Sequence, residues 1–212
     1  MKPLLGIFGG TFDPIHKGHF LVAERLLEKL NFSEIKFIPC KLPVHKNGTH
    51  ASTEQRVAML DLALAQHKKL TVDTREIERT TPSYMVETLK SLREDYPDAP
   101  LALIMGTDSF SSLHTWRQWQ KLTDYAHLII VKRPGVELYW PIELVKDLKS
   151  KVISDISELY NSLNNKLYFF KTETMDVSST ELRQKFTLKA DLSSYIPEEV
   201  LKYIVNHRVY GP

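Results

Sequence analysis

Eleven consecutive residues carry the densest chemistry in this chain: Gly9-Gly10-Thr11-Phe12-Asp13-Pro14-Ile15-His16-Lys17-Gly18-His19. His16 and His19 are three apart, so both face one ligand where a helix begins between them. Two imidazoles beside the free N–H groups of a helix start suit an anionic phosphate chain. Gly9 and Gly10 let a backbone approach a phosphate or base with no Cβ in the way. Asp13-Pro14 breaks the chain into a turn. A second set stands near the other end, Val177-Ser178-Ser179-Thr180-Glu181-Leu182-Arg183. Small hydroxyl residues open a helix there, giving side-chain and backbone donors for phosphate oxygens. Arg183, one turn in, has the forked guanidinium that matches such oxygens. Taken singly, each piece has a plainer reading: a glycine turn, a surface or core histidine pair, a capped helix with a surface arginine. Phe12 reads as core or pocket wall. As a metal pair the histidines lack a nearby third ligand. Neither G-x-G-x-x-G nor G-x-x-x-x-G-K-[ST] occurs, which excludes the common dinucleotide and P-loop fingerprints.

These residues need a scaffold, and the apolar pattern supplies one. Leu4–Phe8, Ile35–Ile38, Leu70–Val72, Leu101–Met105, Leu128–Val131 and Leu167–Phe170 are short, nearly continuous apolar runs. Strands covered on both faces have that character. Helical periodicity falls between them. His19–Leu30 places Phe20, Ala23, Leu27 and Leu30 on one face. Thr53–Ala65 places Val57, Leu60 and Leu64, with Thr53 as cap. Ser83–Arg93 places Met85, Leu89 and Leu92. Strand–helix alternation of this kind predicts an α/β fold with a mainly parallel sheet. Val136 to Asn165 reads as a helical or loop insertion. Ser178–Phe186 and Pro197–His207 read as two C-terminal helices, the second with Pro197, Glu198 and Glu199 suited to its start.

The chain of 212 residues is expected to form one domain, residues 1–212, with the C-terminal helices from about 178 appended. Hydrophobic residues at 42% and charged residues at 25% are ordinary globular usage, so disorder and coiled coil fall away. A net charge of +2 favours neither a duplex nucleic acid nor a membrane surface as partner. The single cysteine, Cys40, excludes an internal disulfide and a multi-cysteine zinc site. No apolar stretch is long enough for a transmembrane helix. The opening MKPLLGIFGG is too short in its apolar part for a signal peptide, so a cytoplasmic location is expected.

The eleven-residue motif strongly resembles the signature of the nucleotidyltransferase superfamily marked by His-x-Gly-His. Its Gly-Gly-Thr-Phe-Asp-Pro form resembles the bacterial nicotinate-nucleotide adenylyltransferases in particular. The resemblance implies a Rossmann-like, doubly wound sheet with helices on both faces. It also implies adenylyl transfer from ATP to nicotinate mononucleotide, giving deamido-NAD and pyrophosphate, with Mg²⁺ carried in on ATP and no metal ligands from the protein. By the same resemblance Gly9, Gly10, Thr11, Phe12, His16, His19, Gly106, Asp108, Ser178, Ser179, Thr180 and Arg183 bind ATP. Met105-Gly106-Thr107-Asp108 matches the family's Gly-x-Asp at the ribose, where Asp108 accepts from hydroxyls.

The mononucleotide falls to Thr11, His45, Lys46, Tyr84, Met85, Asp108, Trp116 and Arg133. Trp116 matches a family tryptophan set against the pyridine ring, to which an indole face offers broad contact. Trp119, three further on, can face the core. Pro39 to Lys46 matches a Pro-x-x-x-Pro-Pro-His-Lys stretch with Val44 for the second proline. Thr81 to Met85 matches a Ser-Tyr-Thr segment with Met85 for threonine. His16, His19, Lys46 and Arg183 are the implied catalytic group. With no acidic residue in Ser83–Met85 or Trp116–Trp119, a nicotinate carboxylate is expected over a neutral amide. The other readings kept open are pantetheine-phosphate or nicotinamide-mononucleotide adenylyl transfer, and a non-catalytic nucleotide-binding regulator.

Overall fold

A computed structural model describes residues 2–41, 48–132, 138–173, 175 and 177–211. In chain order they form β1 (Leu4–Gly10), α1 (Lys17–Lys29), β2 (Phe32–Pro39), α2 (Thr53–Leu64), β3 (Leu70–Val72), α3 (Arg75–Glu78), α4 (Met85–Asp95), β4 (Leu101–Gly106) and α5 (Thr107–Ser111). Then follow α6 (Leu122–Tyr125), β5 (His127–Lys132), α7 (Ile142–Leu148), β6 (Val152–Ile153), α8 (Glu158–Asn161), β7 (Leu167–Lys171), α9 (Ser179–Thr187) and α10 (Glu198–Asn206). Among the described residues seven strands make one sheet, ordered β3-β2-β1-β4-β5-β7-β6. Every neighbouring pair is parallel. The α/β reading holds, and the sheet is wholly rather than mainly parallel.

Why the strands read as continuous apolar runs is visible in how they divide their side chains. Ala102, Ile104, Ile129 and Val131 enter one core with α1, α2, α9 and α10. Leu101, Leu103, Met105, Leu128 and Ile130 enter a second core with α4, α5, α6 and α7. Successive side chains point to opposite faces, so a strand between two helical layers needs apolar residues at every position. Gly6 is the exception: a Cβ there would lie 2.8 Å from Ile35 Cγ1 and 3.1 Å from Phe32. The close packing of β1 on β2 excludes a side chain at that point.

Several expected boundaries move. α1 begins at Lys17 with His16 as N-cap, and Leu26 rather than Leu27 is fully buried on its inner face. The cap of α2 is Ser52, not Thr53, because Ser52 accepts from Gln55 N–H while Gln55 reaches back. α4 starts at Met85, after Tyr84. The insertion holds α7, α8 and the two-residue β6, which pairs with β7 at the sheet edge. Two residues are too few to show any periodicity, so no strand was expected there.

The strand order reverses between β1 and β4, whose following helices, α1 and α5, belong to opposite layers. The loops therefore part, and a crevice opens over the carboxyl ends of the two strands. No helix among the described residues is long and apolar enough to cross a membrane.

Candidate active-site cleft

A cleft of about 920 Å³ occupies that crevice. Its walls come from the loop after β1, the start of α1, Cys40 after β2, Glu76 of α3, the start of α4, the end of β4, Trp116 and Arg117, and the start of α9. The two terminal motifs, far apart in sequence, share one cavity, as do Gly106, Asp108, Tyr84, Met85 and Trp116.

His16 and His19 stack, with ring centroids 3.7 Å apart and planes 28° from parallel. His16 caps α1 in extended geometry, and its backbone N–H donates to His19 Nδ1 at 3.3 Å. Phe12 meets the His19 ring edge-on at 5.2 Å. One helix start thus sets both imidazoles against the same space, while Lys17 N–H donates to the Tyr195 carbonyl at 2.8 Å and His19 N–H to the His16 carbonyl at 2.9 Å.

A polar frame holds this turn. The Asp13 carboxylate, 3% exposed, accepts from His50 N–H at 2.8 Å, Ala51 N–H at 3.1 Å and the Tyr210 hydroxyl at 2.6 Å. Burial, then the adjacent Asp13 carboxylate, push the Tyr210 pKa up, so the phenol stays a donor. The Asp13 carbonyl accepts from Arg183 Nη1 at 2.7 Å, and the Pro14 carbonyl accepts from the Ser179 hydroxyl at 3.0 Å. Arg56, wholly buried, donates to the Thr11 carbonyl at 2.8 Å and the Cys40 carbonyl at 2.7 Å. Between these anchors Phe12 sits at φ 48°, in the left-handed region. A non-glycine residue there carries roughly 1–2 kcal/mol of strain, which persists only where neighbours over-determine the backbone.

The glycines of the cleft meet different neighbours. A Cβ at Gly9 would lie 2.5 Å from the Met85 methyl, and one at Gly10 would lie 2.9 Å from the Phe12 ring. Their missing side chains make room for Met85 and Phe12, and both glycines line the cleft. Gly106 is the open position, since a Cβ there meets nothing within 4 Å. Beside it Asp108, in the first turn of α5, is exposed on the cleft wall.

The hydroxyls before α9 are also engaged in architecture. Ser178 Oγ accepts from Glu181 N–H at 3.2 Å and donates to the Glu181 carboxylate at 3.0 Å. Ser179 reaches Pro14, and Thr180 Oγ1 accepts from Arg183 Nη2 at 3.1 Å. What α9 offers a ligand is therefore its first-turn backbone N–H groups and the Arg183 side chain.

The opposite wall is aromatic. Tyr84 caps α4, and the Arg117 guanidinium lies over its ring, 4.6 Å from the centroid. Trp116 is half-buried on the cleft while Trp119 is 7% exposed in the core, the division expected from their spacing. Below lies an acid that the sequence windows did not include. Glu76 is 2% exposed, accepts from Thr88 Oγ1 at 2.6 Å, and lines the cleft. Burial raises its pKa, against hydrogen bonds from Thr88 and Ser83 that lower it. Ser83–Met85 and Trp116–Trp119 hold no acid, as read from the sequence, and the fold brings Glu76 to the Ser83 hydroxyl from another element.

His45, Lys46 and Arg133 lie outside the described residues. No cluster of three His, Cys, Asp or Glu among the described residues could hold a metal ion. Asp13, Arg56, Glu76, Arg117 and Tyr210 were missed as site residues. Of these only Asp13, inside the motif, and Arg117, beside Trp116, had a sequence signal that could have found them.

Residues 7–185 match the model of the cytidylyltransferase-like family. Over its whole length the chain is similar to a Pseudoalteromonas atlantica protein named "Probable nicotinate-nucleotide adenylyltransferase", with 37% identity over 212 residues, covering 100% of this chain and 97% of that one. A Marinomonas sp. protein of the same name is 38% identical over 211 residues, covering 97% and 94%. Among solved structures, Plasmodium falciparum nicotinic acid mononucleotide adenylyltransferase complexed with NaAD matches with a TM-score of 0.74 at 20% identity, covering 98% of this chain and 97% of that chain. At that identity the likeness is one of fold.

Proposed function

The chain belongs to the cytidylyltransferase-like family, among its nicotinate-nucleotide adenylyltransferases, and on that premise we propose how its cleft works. The reaction transfers the adenylyl group of ATP to nicotinate mononucleotide, giving nicotinate adenine dinucleotide and pyrophosphate in NAD biosynthesis. The mononucleotide phosphate attacks the α-phosphorus in line. One P–O bond forms and the bond to the bridging oxygen breaks, with the electron pair leaving on pyrophosphate. A phosphate monoester is already an anionic nucleophile, so the protein supplies position and positive charge rather than a base.

The observation that carries this reading is the meeting of the His16–His19 stack, Arg183 and the start of α9 in one cavity with Tyr84 and Trp116. His19 and His16 hold the transferring phosphate. Arg183 and Lys46 offset charge on the leaving pyrophosphate, and Asp108 takes the ribose. Trp116 and Tyr84 clasp the pyridine ring, with Met85, His45, Thr11 and Arg133 completing the mononucleotide side. Arg117 above Tyr84 adds a cation where a ring carboxylate would sit. Mg²⁺ would enter on the ATP phosphates and keep much of its water. Residues 1–212 act as one domain, because Arg183 and Tyr210 both bond to Asp13.

Pyrophosphate release from ATP, measured with nicotinate mononucleotide, nicotinamide mononucleotide and phosphopantetheine, tests the reading. The expected result is at least a tenfold preference in kcat/KM for the nicotinate compound, about 1.4 kcal/mol. Equal use of the two pyridine nucleotides would refute the anion-selective wall. Release with phosphopantetheine alone would refute the substrate.

A further inference from the structure

Arg56 is the most deeply buried charge in the described protein, and nothing in the adenylyl-transfer scheme uses it. It is 0% exposed and makes no ion pair among the described residues. Its donors go to carbonyls instead. Nη1 reaches Thr11 at 2.8 Å, and Nη2 reaches Cys40 at 2.7 Å and Lys41 at 3.3 Å, with Thr53 Oγ1 at 3.2 Å. Nε has no partner among the described residues. Thr11 and Cys40 line the cleft and Arg56 does not, so the guanidinium stands behind the wall that the substrate meets.

Peptide geometry gives that position a consequence. In a trans peptide the C=O of one residue and the N–H of the next point in opposite directions. Holding the Thr11 carbonyl toward Arg56 therefore turns the Phe12 N–H to the other side of the loop. Phe12 keeps φ 48° with Arg56 fixing the carbonyl before it and Arg183 fixing the carbonyl of Asp13 after it. A charged donor on the carbonyl also polarises the peptide, making its N–H a stronger donor.

We propose that Arg56 is a positioning residue for the phosphate end of the cleft: it locks the Thr11–Phe12 peptide with the Phe12 N–H toward the substrate phosphates, and its positive charge behind the wall favours their binding. This rests on the adenylyl-transfer reading for what the phosphates are, though not for whether Arg56 aids anion binding. The test uses the full chain with Arg56→Lys and Arg56→Met, at a temperature where each is folded by circular dichroism. Calorimetry with ATP and steady-state pyrophosphate release are read together. Arg56→Met is expected to weaken ATP binding and lower kcat/KM about 100-fold. Arg56→Lys, which keeps the charge but loses the fork, is expected to recover about tenfold of that. A purely structural role would lower the melting temperature and leave both constants of the folded protein unchanged. Folded Arg56→Met within threefold of wild type would overturn the proposal. Should Arg56→Met not fold, Arg56→Lys at wild-type constants overturns it. On the wild type itself, the ¹⁵N-labelled Phe12 amide is expected to shift downfield on titration with inorganic pyrophosphate, and an unmoved resonance overturns the assignment of its direction. If wild type releases no pyrophosphate with nicotinate mononucleotide, the functional reading fails, while the ATP calorimetry still decides the role of Arg56.

Discussion

The two walls of the cleft are built on different principles. The phosphate wall is tied down by directional bonds from distant parts of the chain: Arg183 to the Asp13 carbonyl, Ser179 to the Pro14 carbonyl, Tyr210 to the Asp13 carboxylate, Arg56 to the Thr11 carbonyl. The wall proposed to hold the pyridine is made of ring faces, with Tyr84 under Arg117, Trp116 on the same cleft and the Met85 methyl beside Gly9. Hydrogen bonds fix angle and distance, whereas ring and thioether contacts tolerate shifts. The contrast follows the chemistry. Aligning a nucleophile with a leaving group demands a rigid frame, while holding a flat ring demands area. Damage to the first wall should lower the rate with any acceptor, and damage to the second should act on the pyridine nucleotide, through its ring at Trp116 and through its substituent at Arg117.

The largest effect should remove both walls together, and marks the limit of the comparison. His127 opens β5, is 0% exposed, and has its pKa lowered to about 4, chiefly by burial. Its folded pKa lies below the unfolded value, so the neutral folded form contributes stability that is full above about pH 6.5 and lost as pH falls toward 4. That amounts to on the order of 3 kcal/mol. Urea midpoints at neutral and acid pH should show the loss, and His127→Asn should flatten it. An acid slope unchanged by His127→Asn would place the titration elsewhere.

Next comes the phosphate wall. His19→Ala should cut kcat by about 100-fold, roughly 2.7 kcal/mol, with every acceptor and with folding intact. A well-folded variant of near-normal turnover would break the contrast at its firmest point. Arg183→Lys should raise KM for ATP roughly 10- to 50-fold and spare the mononucleotide, since a point charge cannot replace a fork. Equal damage to both substrates would mean that Arg183 serves the frame alone.

The pyridine wall should give smaller, selective changes. Trp116→Ala should weaken nicotinate and nicotinamide mononucleotides together by roughly tenfold, because stacking reads the ring and not its substituent. Arg117→Ala should do least to rate and most to preference, narrowing the nicotinate advantage about threefold, the range of an exposed charge pair. Competition between the two mononucleotides on each variant separates these outcomes. A Trp116→Ala protein that changed preference, or an Arg117→Ala protein that did not, would reverse their roles.

The sequence shows the strands because double-sided burial writes itself as uninterrupted apolar runs, and β3 begins and ends where Leu70–Val72 predicts. The two terminal motifs show themselves because each concentrates several residues at one strand end or helix start. The frame between them does not. An arginine on the inner face of α2 contradicts the expected burial of apolar residues, and the carbonyls of Thr11, Cys40 and Lys41 with the Thr53 hydroxyl make Arg56 tolerable there. Glu76 joins Ser83 and Thr88 through a fold that local periodicity does not encode. Even Gly9 and Gly10 were legible as special positions yet not as seats for Met85 and Phe12, because a missing side chain does not say what fills its place.

The bond between Tyr210 and Asp13 spans 197 positions of the chain. At a synthesis rate of ~5–20 residues per second, roughly 10–40 s pass between the making of one partner and the other. Throughout that interval a growing polypeptide already carries both histidines and the residues that precede them. It lacks the phenol that closes over the Asp13 carboxylate, and for most of the time the Arg183 fork as well. The motif that is made first thus receives its last hydrogen-bond partners from the far end of the message.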